Sequence, residues 1–455
     1  MPSFNELLSD YIQTHPDLIA EDITRSGQRV REQNINFEHQ RFVDHMPVPY
    51  LLHQSRFDQL RQQGEHLLKA LNRVVKGYRH DQRIRRYFGH LERFEKFLSL
   101  PTPLDPIISI ARFDLVETMQ GDFRVVEPNT CCPGGAIWTS MFYEIFKESN
   151  VYSFLKNHAK ENATPLQNGD TIYNYLIEEY ERHFGAQDAY GIVLADTRSA
   201  PMETELFELR DGARARGHAA EKTCIQDLRF DGTSLTLGDM PVHIVYQFLD
   251  VLFTNDMAQI AENYDEIADF LRAIENRKVL VVNPFPPLFI SEDKSILALL
   301  QDPNFADLFD KTEHEAIAAL VPETYRLNTG KVAFEGSKTD LITLLKSRKN
   351  DFVIKAQMES MGRDITIGRT IGQQQWEQLI DLKLGGLYIA QRFIEEAPLQ
   401  LPFKNAEIIS LQPMYYTLAL FLLGGKAVGM CNRVSPQLVT NVGQGGAWGE
   451  VFVYE

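Results

Sequence analysis

The chain reads as a mixed α+β and α/β protein with a helical N-terminal region. Three observations carry that reading. Residues 1–100 place Leu67, Leu71, Val74 and Val75 at helical spacing between charged neighbours. Residues 191–225 run strand, helix, strand, the grammar of a small parallel α/β unit. The final third alternates short apolar strands with glycine turns. At about 150 residues per domain, 455 residues suggest roughly three units. The expected divisions are a helical region over 1–100, a hairpin plus α/β unit over 101–250, and the strand-rich remainder over 251–455.

Along the first region, residues 61–96 hold ten Lys or Arg against four Asp or Glu. A solvated helix face is the plain reading; a surface that attracts an anionic substrate or an acidic carrier protein is the alternative. Pro101, Pro103 and Pro106 mark a boundary. A strand-rich stretch then runs from Ile107 to about Asn129, and helical sequence resumes at Trp138. Gly191–Asp196 predicts a buried strand, Pro201 starts a helix that stops at Gly217, and Ala219–Ile225 predicts a second strand. Val242–Phe248 and Lys278–Val282 follow as further strands, and the last strand closes at Val453.

Composition narrows the partners. Hydrophobic residues at 44% and charged residues at 24% are ordinary globular usage and exclude a disordered or collagen-like chain. A formal charge of −16 repels a phosphate backbone, so neither nucleic acid nor an anionic membrane is expected to bind. The four cysteines, Cys131, Cys132, Cys224 and Cys431, form no Cys-x-x-Cys pair, which suits a reducing compartment and no thiolate zinc site. For Cys131 and Cys132, packing or pocket lining is expected over nucleophilic catalysis. Met1–Asp22 lacks the apolar core of a signal peptide, and Met414–Leu423 is about half a bilayer span. A soluble, cytoplasmic protein is expected.

The most informative segment is Ile110–Asn129. Two alternating runs flank Gln120-Gly121, where glycine suits a tight turn needing positive φ. With a two-residue loop, Asp114 lies opposite Glu127 and Arg112 opposite Asn129, and all four polar groups share one face. Two opposed carboxylates destabilise a sheet unless a cation lies between them. Asp114, Glu127 and the Asn129 amide oxygen form a hard oxygen set that suits Mg²⁺ with waters and phosphates. Arg112 beside them can stabilise a transferring phosphoryl group. The rival reading is an exposed face with incidental charges. Pro128 favours an edge strand or strand end.

Phosphate chemistry also requires cations or backbone amides. Lys294 lies in a predicted helix start with Ser291 as N-cap, where the helix dipole does not favour a lysine. Lys355 lies within the apolar strand Phe352–Ala356, and a charge there needs a partner. The polar loop that follows reaches Gly362 and returns to a strand at Ile365, so its amides can fold over a nucleotide. Leu387–Ile394 reads as a buried strand lining a base pocket. Arg433 and Asn441 complete the candidates. Competing motifs fail: Thr329-Gly-Lys-Val332 is no Walker loop, and ten residues after Gly445 are too few for a dinucleotide fold. His314-Glu315 has no second histidine four residues on, and no Gly-x-Ser-x-Gly elbow occurs.

Taken in order, Arg112-x-Asp114, Glu127-x-Asn129, Lys294, Lys355 and Arg433 resemble the glutathionylspermidine synthase family of ATP-grasp ligases. Val282-Asn-Pro-Phe285, Arg433-Val-Ser-Pro436 and Asn441–Gly446 are similar to circularly permuted ATP-grasp relatives of that family. The resemblance covers roughly residues 105–455. It departs at Ala356, where the family has proline, in the glycine-poor loop through Gly362, and in Thr130–Gly135. Residues 1–100 carry no amidase-like nucleophile. The resemblance implies ATP-grasp lobes over 251–455, preceded by a pre-ATP-grasp α/β unit. It also implies an ADP-forming carboxylate–amine ligase that uses ATP and Mg²⁺ and passes through an acyl phosphate. On it, Asp114, Glu127 and Asn129 bind the metal, and Lys294 and Lys355 hold the α/β-phosphates. Arg433 lies by the γ-phosphate or acyl phosphate, and Gln391, Arg392 and Phe393 contact adenine. Amino-acid-like substrates, a carrier protein as acceptor, and a nucleotide-binding regulatory protein without turnover all stay open.

Overall fold

A computed structural model describes residues 3–37, 41–131, 133–162, 170–196, 203–249, 264–359, 362–405 and 408–455. Its centre is a sheet whose strands run in the order His45–His53, Ala447–Tyr454, Lys426–Ser435, Ile408–Leu423, Ile110–Glu117, Phe123–Asn129. Leu399–Asn405 pairs with the outer end of Ile408–Leu423. The helix Gln54–Gly77 buries Leu60, Gly64, Leu67, Leu71 and Val74 against this sheet. Gly64 permits the close approach, since a Cβ there would stand 2.6 Å from Leu420 Cδ2.

The predicted α/β unit is present as a four-stranded parallel sheet, Leu280–Val282, Ile244–Gln247, Gly191–Asp196, Ala219–Cys224. The helix following Gly191–Asp196 spans Glu203–Ala215; Pro201, expected to start it, lies outside the described residues. A third, antiparallel sheet carries Thr324–Arg326, Tyr388–Arg392, Phe352–Ala356 and Ile365–Ile367. Its helices Leu341–Ser347 and Gln373–Lys383 enclose a separate core around Leu345, Phe352, Ile354, Trp376 and Ile380.

Three sequence expectations are corrected. Residues 1–100 are not wholly helical, because His45–His53 forms a nearly fully buried strand, parallel to Ala447–Tyr454. Pro47 and Pro49 disguise it; prolines survive there because the strand is at the sheet edge, where N–H groups are not all needed. Ser291 is not an N-cap but ends the helix Phe285–Ile290, and the next helix starts at Ile296. Finally, the hairpin turn has three residues, not two. The Thr118 amide donates to the Asp122 carbonyl at 2.7 Å and the Gly121 amide to the Thr118 carbonyl at 2.8 Å, with Gly121 at φ +87°. That turn moves the register by one, pairing Leu115 with Val125. A bulge at Val126 moves it back, so Asp114 faces Glu127 and Arg112 faces Asn129 after all.

Candidate active site

The base of the hairpin is held by buried side chains that are satisfied by its backbone. Asn283 accepts from the Ser109 and Ile110 amides at 2.8 and 2.9 Å, and donates to the Ile110 and Thr130 carbonyls at 2.6 and 2.7 Å. Glu292 accepts from the Thr130 and Cys131 amides. These clamps come from the segment 283–292, so the hairpin and the turn carrying Lys294 are positioned together.

On the open face, Asp114 lies between two guanidiniums. Arg112 Nε and Nη2 donate to its two oxygens at 2.8 and 3.1 Å, and Arg433 Nη2 approaches Oδ2 at 2.8 Å. Burial alone would raise this carboxyl, but the two arginines hold it down to about 2. Arg112 also donates to the Gly134 carbonyl at 2.6 Å. Glu127 faces Lys294, with Nζ and Oε2 3.5 Å apart, and Lys294 also donates to the Glu359 carbonyl. Asn129 Nδ2 donates to the Arg112 carbonyl at 3.4 Å.

Lys355, expected to need a partner, has two. Its ammonium donates to Gln391 Oε1 at 2.8 Å and to the carbonyl of Val126, the bulged residue, at 3.2 Å. Burial pulls it down to about 8, against the pull of Glu127. Gln391, expected at adenine, turns its side chain to Lys355 and to Thr324, whose hydroxyl is 3.2 Å from Nε2.

Of these groups, Asp114, Glu127, Lys355, Gln391 and Arg433 line a cleft of about 140 Å³ between the third sheet and the central sheet. Asp114, Glu127, Lys355 and Arg433 make one end polar. Val116, Phe393, Ile394 and Glu396 lie toward the hairpin turn, where the Met119 amide donates to the Glu395 carbonyl at 3.1 Å. Gly362 lines the cleft at φ +71° and rests on Val439; a Cβ there would come within 2.9 Å of its Cγ1. Asn441 is at the rim and accepts from the Gly443 amide at 2.8 Å. The sequence reading missed Asn283, Glu292 and Glu396. Only Asn283 carried a signal, as part of Val282–Phe285.

The donors suit a divalent cation in part. Glu127 and the Asn129 amide oxygen are hard ligands on one face. Asp114 was expected as a third, yet both its oxygens are engaged by arginines. No cluster of three or more His, Cys, Asp or Glu suited to a metal occurs among the described residues. Few protein ligands fit an Mg²⁺ carried in largely by phosphates and water.

Elsewhere, the basic stretch pairs within the chain: Arg73 with Glu313 at 2.7 Å, Arg83 with Asp307 at 2.8 Å and Arg85 with Glu95 at 3.0 Å. That favours the solvated-face reading over carrier docking. Cys131 is buried, and Cys132 lies outside the described residues. No helix among the described residues is long and apolar enough to cross a membrane.

No family model and no curated protein matches the chain by sequence. Solved structures do match in shape. A glutathione synthetase-like effector from Globodera pallida, in apo form, aligns over 96% of this chain and 97% of its own at 12% identity, with TM-score 0.61. A protein from Methylobacillus flagellatus assigned as a gamma-glutamylcysteine synthetase covers 89% of both chains at 14% identity, TM-score 0.41. An ATP-grasp ligase complexed with a minimal precursor covers 58% of this chain and 90% of its own at 11% identity, TM-score 0.31. The chain therefore shares the fold of the glutathione synthetase-like effector, a mixed α/β architecture of the class the sequence predicted.

Proposed function

We propose that the protein is an ATP- and Mg²⁺-dependent ligase joining a small carboxylate, such as an amino acid, to an amine. One observation carries the reading: Arg112 and Arg433 pair with Asp114, Lys294 faces Glu127 and Lys355 lies beside them, at one end of a cleft whose other end is largely apolar. A nucleoside triphosphate has the matching layout, anionic at one end and flat and apolar at the other. The fold shared with a glutathione synthetase-like protein is a second support.

Lys355 and Lys294 hold the α/β-phosphates, and Arg433 stands by the γ-phosphoryl group. Arg112 neutralises charge as that group transfers. Asp114 stays ionised and keeps both guanidiniums in register. Glu127 and Asn129 hold Mg²⁺, which supplies further neutralisation of the phosphoryl oxygens. The substrate carboxylate oxygen attacks the γ-phosphorus and ADP leaves. The amine then attacks the acyl carbon, loses a proton and displaces phosphate, leaving an amide.

ADP release on mixing with ATP and pools of amino acids tests this. Glu127→Gln should lower turnover by about 10²-fold or more with an unchanged melting temperature. Full turnover in both Glu127→Gln and Asp114→Asn would sink the assignment. The engagement of Asp114 by two arginines favours one alternative, a nucleotide-binding protein without turnover. Tight ATP binding with no ADP formed on any pool decides for it.

A further inference from the structure

We propose that Glu396 reads the nucleobase by accepting a hydrogen bond from the exocyclic amino group of adenine. The inference rests on a nucleotide occupying the cleft as proposed above. Three observations carry it. Glu396 lines the cleft at the apolar end, beside Val116, Phe393 and Ile394, and one of its carboxyl oxygens, Oε2, is buried with no hydrogen-bond partner. A buried acceptor without a donor costs free energy, on the order of 1–3 kcal/mol, that a ligand donor relieves.

The second observation concerns the strand beside the base slot. The amides of Arg392 and Phe393 already donate to the Glu323 and Asp351 carbonyls at 2.7 and 2.8 Å. The Gln391 side chain is held by Lys355, and the Arg392 guanidinium by Glu335 at 3.0 Å. Much of the polarity of residues 391–393 is thus turned away from a base, leaving Glu396 as an acceptor still open.

Third, the placement suits a base rather than a phosphate. The side chains of Val116 and Asp114 share a face of one strand, two residues apart, so Val116 stands about 7 Å further toward the turn. The Glu395 carbonyl meets the Met119 amide at that turn, which puts the neighbouring Glu396 at the end away from Lys355 and Glu127. Burial lifts this carboxyl to about 7, with the Tyr416 amide pulling the other way. Either form retains an oxygen for an amino N–H; the protonated form can also donate to adenine N1.

The test combines ligand and residue changes in a cycle of dissociation constants for the full chain, measured without turnover. The ligands are ATP, purine riboside triphosphate (which lacks the amino group), inosine triphosphate and 2′-deoxy-ATP. In the wild type, loss of the amino group should weaken binding about 10-fold or more. In Glu396→Ala that ratio should collapse toward one, and in Glu396→Gln, which keeps an acceptor oxygen, it should largely persist. Equal wild-type affinity for ATP and purine riboside triphosphate overturns the inference, and needs no variant to fold. A ratio in 2′-deoxy-ATP that collapses in Glu396→Ala, instead of the amino ratio, also overturns it by placing the carboxyl on the ribose. Failure of the wild type to bind any of the four refutes the nucleotide reading itself, a distinct outcome.

Discussion

Asp114 is both a site residue and a buried charge, and its titration connects the two roles. Its folded value near 2 lies below the ordinary 3.8, because Arg112 and Arg433 outweigh the effect of burial. A depressed carboxyl contributes stability that is present above the unfolded value and is lost as pH falls through the folded one. The contribution is about 2 kcal/mol. Urea unfolding of the wild type should therefore weaken between about pH 4 and pH 2, and Asp114→Asn should lack that part of the slope. A variant with the same acid profile as the wild type would show that the arginines do not hold the carboxylate. Lys355 is the complementary case: a buried cation whose partners are an amide oxygen and a carbonyl rather than a carboxylate. Lys355→Met should weaken ATP binding by about 10-fold or more while leaving the fold intact, since a buried charge is replaced by an apolar chain of similar length.

At the scale of elements, the hairpin works through its irregularities. The Val126 bulge restores the register at Asp114 and Glu127, and it frees a carbonyl for Lys355. Asn283 closes the other end by satisfying four backbone groups at once. Asn283→Ala should leave those groups unpaired and cost on the order of 3 kcal/mol, measured by chemical denaturation. A loss under 1 kcal/mol would mean that water replaces the amide easily. Gly362 is the corresponding point in the loop over the cleft. Its positive φ and the nearby Val439 methyl both oppose a side chain. Gly362→Ala should weaken nucleotide affinity more than global stability, because Gly362 lines the cleft and is not among the buried residues of either core.

For the whole molecule, the cleft has walls from two bodies with separate cores: the central sheet and the lobe around Phe352 and Trp376. A ligand touching both must stabilise both. At 100 times its dissociation constant, ATP with Mg²⁺ should add about 2.7 kcal/mol to the native state. The expected readout is a rise in the unfolding transition reported by Trp376, followed in a variant with Trp138 and Trp448 replaced by phenylalanine. Separate unfolding of the lobe, unaffected by ATP, would place the nucleotide elsewhere.

The sequence by itself determined the elements with local signals: the strand–helix–strand unit from Gly191, the apolar strand around Lys355, and the alternation that puts Arg112 with Asp114, and Glu127 with Asn129, on one face of each strand. Alternation and apolar runs are properties of neighbouring residues, so they survive in one dimension. Tertiary structure decided what depends on distant partners. Pro47 and Pro49 can occupy a strand because the C-terminal strand pairs only one edge of it. Asp114 meets Arg433, 319 positions away in sequence, and so became a counter-ion to two guanidiniums where a metal ligand was expected. Gln391 turned from the base to Lys355, and Glu396 was left with an open oxygen; both follow from which groups the fold brings within hydrogen-bond reach.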